Sequence, residues 1–86
     1  MRPLRTLAGQ AMERYRNLSG ESGVIAYELR PGAIVVEFVN RSIYLYTDAS
    51  AGAGHIAEMK RRARAGRGLS TYISQVVHDD YARQLR

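Results

Sequence analysis

The alternation of apolar and polar residues across residues 24–47 constrains the fold of this 86-residue chain more than any other feature. Pro31 and Gly32 interrupt the alternation once, and Asn40 and Arg41 interrupt it a second time. Apolar residues at every second position are typical of half-buried strands, and short polar interruptions are typical of hairpin turns. The pattern therefore predicts three strands in an antiparallel meander.

The length of each turn predicts which residues lie opposite each other, because turn length sets strand register. Two-residue turns give five apolar pairs: Leu29–Ile34, Tyr27–Val36, Ile25–Phe38, Phe38–Ile43 and Val36–Leu45. Arg41 fits such a turn poorly, since its position requires a positive φ that favours glycine. A longer or bulged second turn is the alternative.

Residues 1–18 have apolar side chains at helical spacing, so an N-terminal amphipathic helix is predicted there. Its stripe consists of Leu4, Leu7, Ala8, Ala11, Met12 and Tyr15. A stripe of this kind needs a partner surface. That surface is either the body of the domain or a second chain.

Two further helices are predicted after the strands. Ile56, Met59 and Ala63 form a narrow apolar stripe that ends at Gly66. Residues 69–85 form a last helical region, with Ser70 as its candidate N-cap and a break expected near His78.

The composition excludes several classes of protein. The chain has no cysteine, which excludes disulfide frameworks, cysteine zinc sites and thiol nucleophiles. The longest aliphatic run, residues 33–36, is far shorter than the roughly 20 residues of a membrane-spanning helix. No continuous apolar stretch at the N-terminus indicates a secretory signal. We therefore expect one cytoplasmic α+β domain without a membrane partner: a three-stranded antiparallel meander with an N-terminal helix and C-terminal helices.

Three segments of the chain resemble a known family. They are Ser22-Gly23-Val24-Ile25-Ala26-Tyr27, Ile43-Tyr44-Leu45-Tyr46 and Gly68-Leu69-Ser70-Thr71-Tyr72-Ile73. In this order they resemble the KTSC domain, found at the C-terminus of some lysyl-tRNA synthetases and as stand-alone bacterial and phage proteins. Its hallmark Tyr-x-Tyr motif corresponds to Tyr44 and Tyr46.

The resemblance covers residues 19–85. We therefore expect residues 19–86 to form a KTSC-like domain and residues 1–18 to lie outside it. Asn40 and Arg41 depart from the family, which often has a glycine-containing turn there. The synthetase context of the family implies RNA binding.

The densest cluster of charge lies in residues 60–67, which contain five cations and no acid. Clustered cations bind phosphates by displacing condensed counterions. The alternative is a solvated helix end, where cations are favoured by the helix dipole and Glu58 pairs with neighbouring arginines. The predicted nucleic-acid-binding residues are Lys60, Arg61, Arg64, Arg67, Arg41, Tyr44 and Tyr46.

Tyr44 and Tyr46 have two interpretations. Aromatic strand residues stack on bases in single-stranded RNA modules. In the predicted register, however, Glu28 and Glu37 lie on the same face as both tyrosines and would repel phosphates. We therefore favour a packing role for the tyrosine face.

No catalytic or metal site is predicted. His78, Asp79 and Asp80 are consecutive, and consecutive helical residues point about 100° apart, so they cannot converge on one ion. No serine or histidine lies in a motif typical of nucleophilic catalysis. We expect a non-enzymatic module without a cofactor that binds RNA weakly. The alternative is a protein-interaction or structural module that self-associates through the N-terminal helix or a sheet edge.

Overall fold

The computed structural model describes residues 4–5, 11–20 and 22–86, which form a small α+β fold. Every adjacent pair of strands is antiparallel, and the strands lie in the sheet in chain order. They are β1 (Leu4–Arg5), β2 (Ala11–Arg14), β3 (Val24–Arg30), β4 (Ala33–Phe38), β5 (Ile43–Thr47) and β6 (Arg83–Gln84).

The helices lie between β5 and β6. Thr47 and Ser50 form a reciprocal capping box at the start of the first helix. Gly66 ends the second helix with a φ of 76°, as its sequence predicts. Gly68 precedes the third helix in place of the expected Ser70 cap. The predicted helical region over residues 69–85 is wrong beyond Val77, because Arg83 and Gln84 pair with β5 as a strand. The helical elements are α1 (Asp48–Ala51), α2 (Ala53–Ala65), α3 (Leu69–Tyr72) and a π-helical turn (Ile73–Val77).

The predicted N-terminal helix over residues 1–18 is wrong where the structure describes it, because Leu4–Arg5 and Ala11–Arg14 are strands. The prediction for residues 1–3 and 6–10 lies outside the described residues. β2 pairs along the edge of β3, so that Glu13 lies opposite Tyr27. Tyr15 is buried among the helices and the sheet and therefore cannot belong to a free self-association stripe.

The predicted meander corresponds to β3, β4 and β5. In the first hairpin the pairs Leu29–Ile34 and Tyr27–Val36 are confirmed. The third pair is wrong, because the register shifts between Val24 and Ala26 and places Val24 opposite Phe38.

The register predicted for the second hairpin is wrong by one residue. Val36 lies opposite Tyr44 instead of Leu45. The longer turn is closed by a 2.9 Å hydrogen bond from the Phe38 N–H to the Ser42 carbonyl, and Arg41 takes a φ of 75° within it. Since side chains alternate between faces, this shift turns both tyrosines of β5 to the face that packs against the helices.

The core has two parts, one on each face of the sheet. The larger lies between the sheet and the helices and includes the predicted α2 stripe of Ile56, Met59 and Ala63. The smaller lies on the other face and consists of Met12, Ala26, Val35 and Ile43. Within the described residues, no helix has the length and apolar character needed to cross a membrane.

Candidate functional site

Helix α2 carries most of the predicted basic residues to its C-terminal end. Arg62 and Arg64 lie in its last turn, and Arg67 follows immediately after the Gly66 cap. The partial negative charge at a helix C-terminus favours cations in these positions. The local fold therefore explains why so many positive charges are tolerated close together.

Arg16 joins this end of α2 from a distant part of the chain. The Leu18 N–H donates a 2.8 Å hydrogen bond to the Gly66 carbonyl, which holds the β2–β3 connection against the helix cap. The guanidinium of Arg16 donates to the Arg64 carbonyl. We call Arg16, Arg61, Arg62, Arg64 and Arg67 the basic end.

Sequence reasoning missed Arg16 because it was assigned to a helix outside the domain. Its place beside Arg64 depends on β2 pairing with β3 and on the connection that follows. The one signal in the sequence is Asn17, which takes a φ of 55° and starts the turn of that connection. Such a turn predicts a change of chain direction but not which surface the chain meets.

Among the described residues, Glu58 is the carboxylate that pairs with the basic end. Its side chain accepts hydrogen bonds from Arg61 at 2.5 Å and from Arg62 at 2.6 Å. The hydrogen bond from Arg61, followed by that from Arg62, lowers the pKa of Glu58 to about 2. Glu58 is therefore ionised at neutral pH and offsets one of the five positive charges.

Arg62 is more fixed than its neighbours. Its guanidinium also donates to the Gly68 carbonyl at 3.1 Å and lies 4.7 Å from the centroid of the Tyr72 ring. A cation–π contact and hydrogen bonds to two different partners hold this planar guanidinium in one orientation. Arg64 and Arg67, by contrast, are exposed to solvent.

Two shallow clefts adjoin the basic end. One, of about 290 Å³, is lined by Arg61, Arg62, Ala65, Arg67 and Gly68. The other, of about 260 Å³, shares Gly68 and is lined otherwise by hydroxyl-bearing residues: Ser19, Ser22, Ser70 and Thr71. Guanidinium and hydroxyl groups are the donors that proteins commonly present to phosphate oxygens.

Lys60 and Arg41 lie apart from the basic end. The ammonium of Lys60 donates a 2.6 Å hydrogen bond to the Arg30 carbonyl at the β3–β4 turn. Arg41 lies at the β4–β5 turn, 4.0 Å from a carboxylate oxygen of Glu37, which Arg86 also contacts at 3.1 Å. The structure therefore separates these two predicted cations from the other three.

Tyr44 and Tyr46 lie in a different place from the basic end. Tyr46 is only 2% exposed and belongs to the larger core, whereas Tyr44 is partly buried. Glu28 and Glu37 lie opposite Val35 and Ile43, on the other face of the sheet, so the expectation that they accompany the tyrosines is wrong.

The tyrosines of β5 line a cavity of about 410 Å³, which we call the aromatic pocket. It opens between the β4–β5 turn and the segment that follows the π-helical turn. Its lining residues are Gly23, Phe38, Val39, Asn40, Tyr44, Tyr46, Ile73, His78, Asp79 and Tyr81. None of them belongs to the basic end.

The two histidines differ in their surroundings. His55 is exposed and its Nδ1 lies 2.6 Å from the Tyr72 hydroxyl, whereas His78 lines the aromatic pocket. Among residues 4–5, 11–20 and 22–86, no three histidine, cysteine or acidic side chains come together as a metal site requires. Comparison with family models, curated proteins and solved structures found no match to this chain.

Proposed function

We propose that this protein is a non-enzymatic module that binds RNA through the phosphate backbone, using the basic end. The observation that carries the proposal is that Arg16 donates to the Arg64 carbonyl, at a helix end where the described residues place five cations and one carboxylate, Glu58. Binding of this kind is largely independent of sequence and weakens with salt, because it releases counterions from the phosphates.

The two clefts beside the basic end support this proposal. Arg61 and Arg67 line the first cleft together, so one phosphate can contact cations from two elements. The hydroxyl-lined cleft continues from it at Gly68 and supplies neutral donors to a second phosphate. A chain of phosphates suits these adjoining clefts better than a single small anion does.

Membership of the KTSC family is a proposal separate from that of RNA binding. The Tyr-x-Tyr motif of that family, Tyr44 and Tyr46, takes no part in the proposed interface. Tyr46 is buried and Tyr44 lines the aromatic pocket, so neither ring offers a free face beside the basic end. Arg41 lies at the β4–β5 turn, and the ammonium of Lys60 lies at the β3–β4 turn, so both are apart from the basic end. The proposed interface therefore consists of Arg16, Arg61, Arg64 and Arg67, together with Arg62, which lines the first cleft and is held there by Glu58 and Gly68.

The test is a titration of fluorescently labelled single-stranded RNA, tRNA and duplex DNA with the full chain at several salt concentrations. We expect log K to fall linearly with log salt for each ligand. Arg64→Glu should weaken binding severalfold and reduce the slope by about one.

Arg83→Glu is the matched control, because it makes the same change in net charge on β6 at an exposed position away from α2. It should lower affinity much less than Arg64→Glu does. Equal losses from the two variants, or an affinity that does not change with salt, would contradict the proposal.

A further inference from the structure

The aromatic pocket has walls made largely of rings. Tyr44 packs against Tyr81 with centroids 4.6 Å apart and meets Phe38 edge-on at 5.8 Å. Tyr46 meets Tyr81 at 6.1 Å with the ring planes perpendicular. Aromatic faces carry partial negative charge and attract organic cations.

A carboxylate accompanies these rings. Asp79 lines the pocket and Asp80 follows it in the chain. Burial raises the pKa of Tyr46, and the neighbouring Tyr44 and Tyr81, followed by Asp79 and Asp80, contribute to the same shift. Asp79 therefore adds a carboxylate to a pocket whose other walls are largely rings.

The pocket differs in charge from the rest of the molecule. The chain carries a formal net charge of +5, yet no lysine or arginine among the described residues lines this cavity. An anionic ligand would meet the carboxylate of Asp79 without a lysine or arginine among the described lining residues to pair with it. The distribution of charge thus favours a positively charged ligand.

The backbone that carries Asp79 and Tyr81 is unusual. His78 has a φ of 43° and a ψ of −117° directly after the π-helical turn, and its N–H donates to the Ile73 carbonyl at 2.7 Å. Non-glycine residues in such conformations are costly and concentrate at binding sites, as do π-helical turns. Here this conformation turns the chain so that Asp79 and Tyr81 lie across from β5.

The pocket remains accessible from outside. Tyr81 is 36% exposed and Val39 is 61% exposed at its rim, while Tyr46 closes the inner end. A volume of about 410 Å³ is in the range of cavities that hold small ligands.

We propose that the aromatic pocket binds an organic cation, an alkylated ammonium or guanidinium group, against the packed rings of Tyr44 and Tyr81 and beside Asp79. The rings attract the cation through their faces, and the carboxylate supplies the opposite charge. This site is independent of the basic end and of RNA binding. The same chemistry is offered by a free small molecule and by a modified side chain of a peptide.

The test is an NMR titration of the full chain at constant ionic strength and about pH 8, where histidine is normally neutral. The probes are choline, methylguanidinium and a short peptide carrying trimethyllysine, with the uncharged carbon isostere of choline as the matched ligand. We expect the cations to shift resonances of Tyr44 and Tyr81 in a saturable way, with the isostere at least fivefold weaker. Comparison of choline with the peptide distinguishes the two sources.

Three variants make the test specific. Asp79→Asn should weaken cation binding about fivefold or more, while Asp48→Asn, at an exposed aspartate on α1, should not change it. Tyr81→Phe keeps the ring and should retain binding. Equal affinity for choline and its isostere, an unchanged affinity in Asp79→Asn, or no saturable shift up to tens of millimolar cation would overturn the proposal.

Discussion

The Leu18 N–H donates a 2.8 Å hydrogen bond to the Gly66 carbonyl, and so the β2–β3 connection is joined to the C-terminal cap of α2. Carbonyl groups in the last turn of a helix lack partners within that helix. Here Leu18 satisfies the cap carbonyl and Arg16 satisfies that of Arg64. The same connection thereby satisfies carbonyl groups at the end of α2 and brings Arg16, a cation distant in the chain, to the basic end.

Gly66→Ala should destabilise the protein. Gly66 has a φ of 76°, and a Cβ atom there would lie 2.9 Å from the Cβ of Arg16. The left-handed backbone alone costs a non-glycine residue about 1–2 kcal/mol, and the clash adds to that cost. Chemical denaturation measures the loss in free energy of unfolding, and RNA affinity should fall with it because Arg16 is displaced.

Gly54→Ala is the matched control for that substitution. A Cβ atom at Gly54 meets nothing within 4 Å, and its φ is not in the left-handed region. Because alanine restricts the unfolded chain and favours helix, we expect a gain of about 0.4–1 kcal/mol. A comparable loss of stability in both variants would contradict the role assigned to the Gly66 cap.

Glu58→Gln should strengthen RNA binding while leaving the fold intact. The substitution removes the carboxylate that pairs with Arg61 and Arg62 and adds one net positive charge to the basic end. We expect a severalfold higher affinity at low salt and a steeper dependence on salt, measured by fluorescence anisotropy. Glu13→Gln adds the same charge on β2 and should have a smaller effect; equal gains would show that only net charge matters.

Glu58 should remain ionised well into the acid range. Hydrogen bonds from Arg61 and Arg62 lower its pKa from 4.5 to about 2. A carboxyl group with a lowered pKa stabilises the folded state above its ordinary pKa, and this contribution is lost as pH falls from about 4.5 towards 2.

Side-chain NMR of Glu58 against pH measures this titration directly. We expect a midpoint close to 2 in the unmodified chain. Arg61→Ala should raise the midpoint towards the ordinary glutamate value, because Arg61 is the larger cause of the shift. An unchanged midpoint in Arg61→Ala would disprove that assignment.

Arg41→Gly should stabilise the β4–β5 hairpin. Arg41 has a φ of 75°, which costs a non-glycine residue about 1–2 kcal/mol, and part of this cost is recovered by glycine. Its 4.0 Å ion pair with Glu37 is exposed on the Arg41 side and contributes little.

The net gain expected for Arg41→Gly is about 1 kcal/mol or less in the free energy of unfolding. Arg41→Ala removes the same guanidinium but keeps the Cβ atom, so it should give no gain. Thermal and chemical denaturation of the two variants compare them directly. A similar stability for both would mean that the backbone at this turn is not strained.

Patterns that depend on neighbouring residues were predicted well. The Leu29–Ile34 and Tyr27–Val36 pairs follow from a turn at Pro31 and Gly32. The α2 stripe and the Gly66 cap follow from helical spacing and from the preference of glycine for positive φ. The break near His78 was also predicted, but the helix expected after it is wrong, because Arg83–Gln84 is a strand.

The positions of the candidate site residues depended on the register of the strands, which the alternation of apolar and polar residues could not determine to within one residue. A one-residue change at the Arg41 turn moves every side chain of β5 to the opposite face, which is why Tyr44 and Tyr46 line the aromatic pocket instead of an outer face. The predicted register, with Val36 opposite Leu45, and the observed one, with Val36 opposite Tyr44, both give apolar pairs, because apolar residues lie on both faces of this sheet.

The sequence by itself determined the central hairpin, the helix α2 and the positive charges at its end, since each depends on interactions between residues close in the chain. Tertiary structure decided the rest. A four-residue strand at residues 11–14 is too short to distinguish from helical spacing, and it exists as a strand through its pairing with the edge of β3. That pairing brought Arg16 to Arg64, and the longer second turn brought Tyr44 to Tyr81. Both contacts join residues far apart in the chain, which local pattern cannot specify.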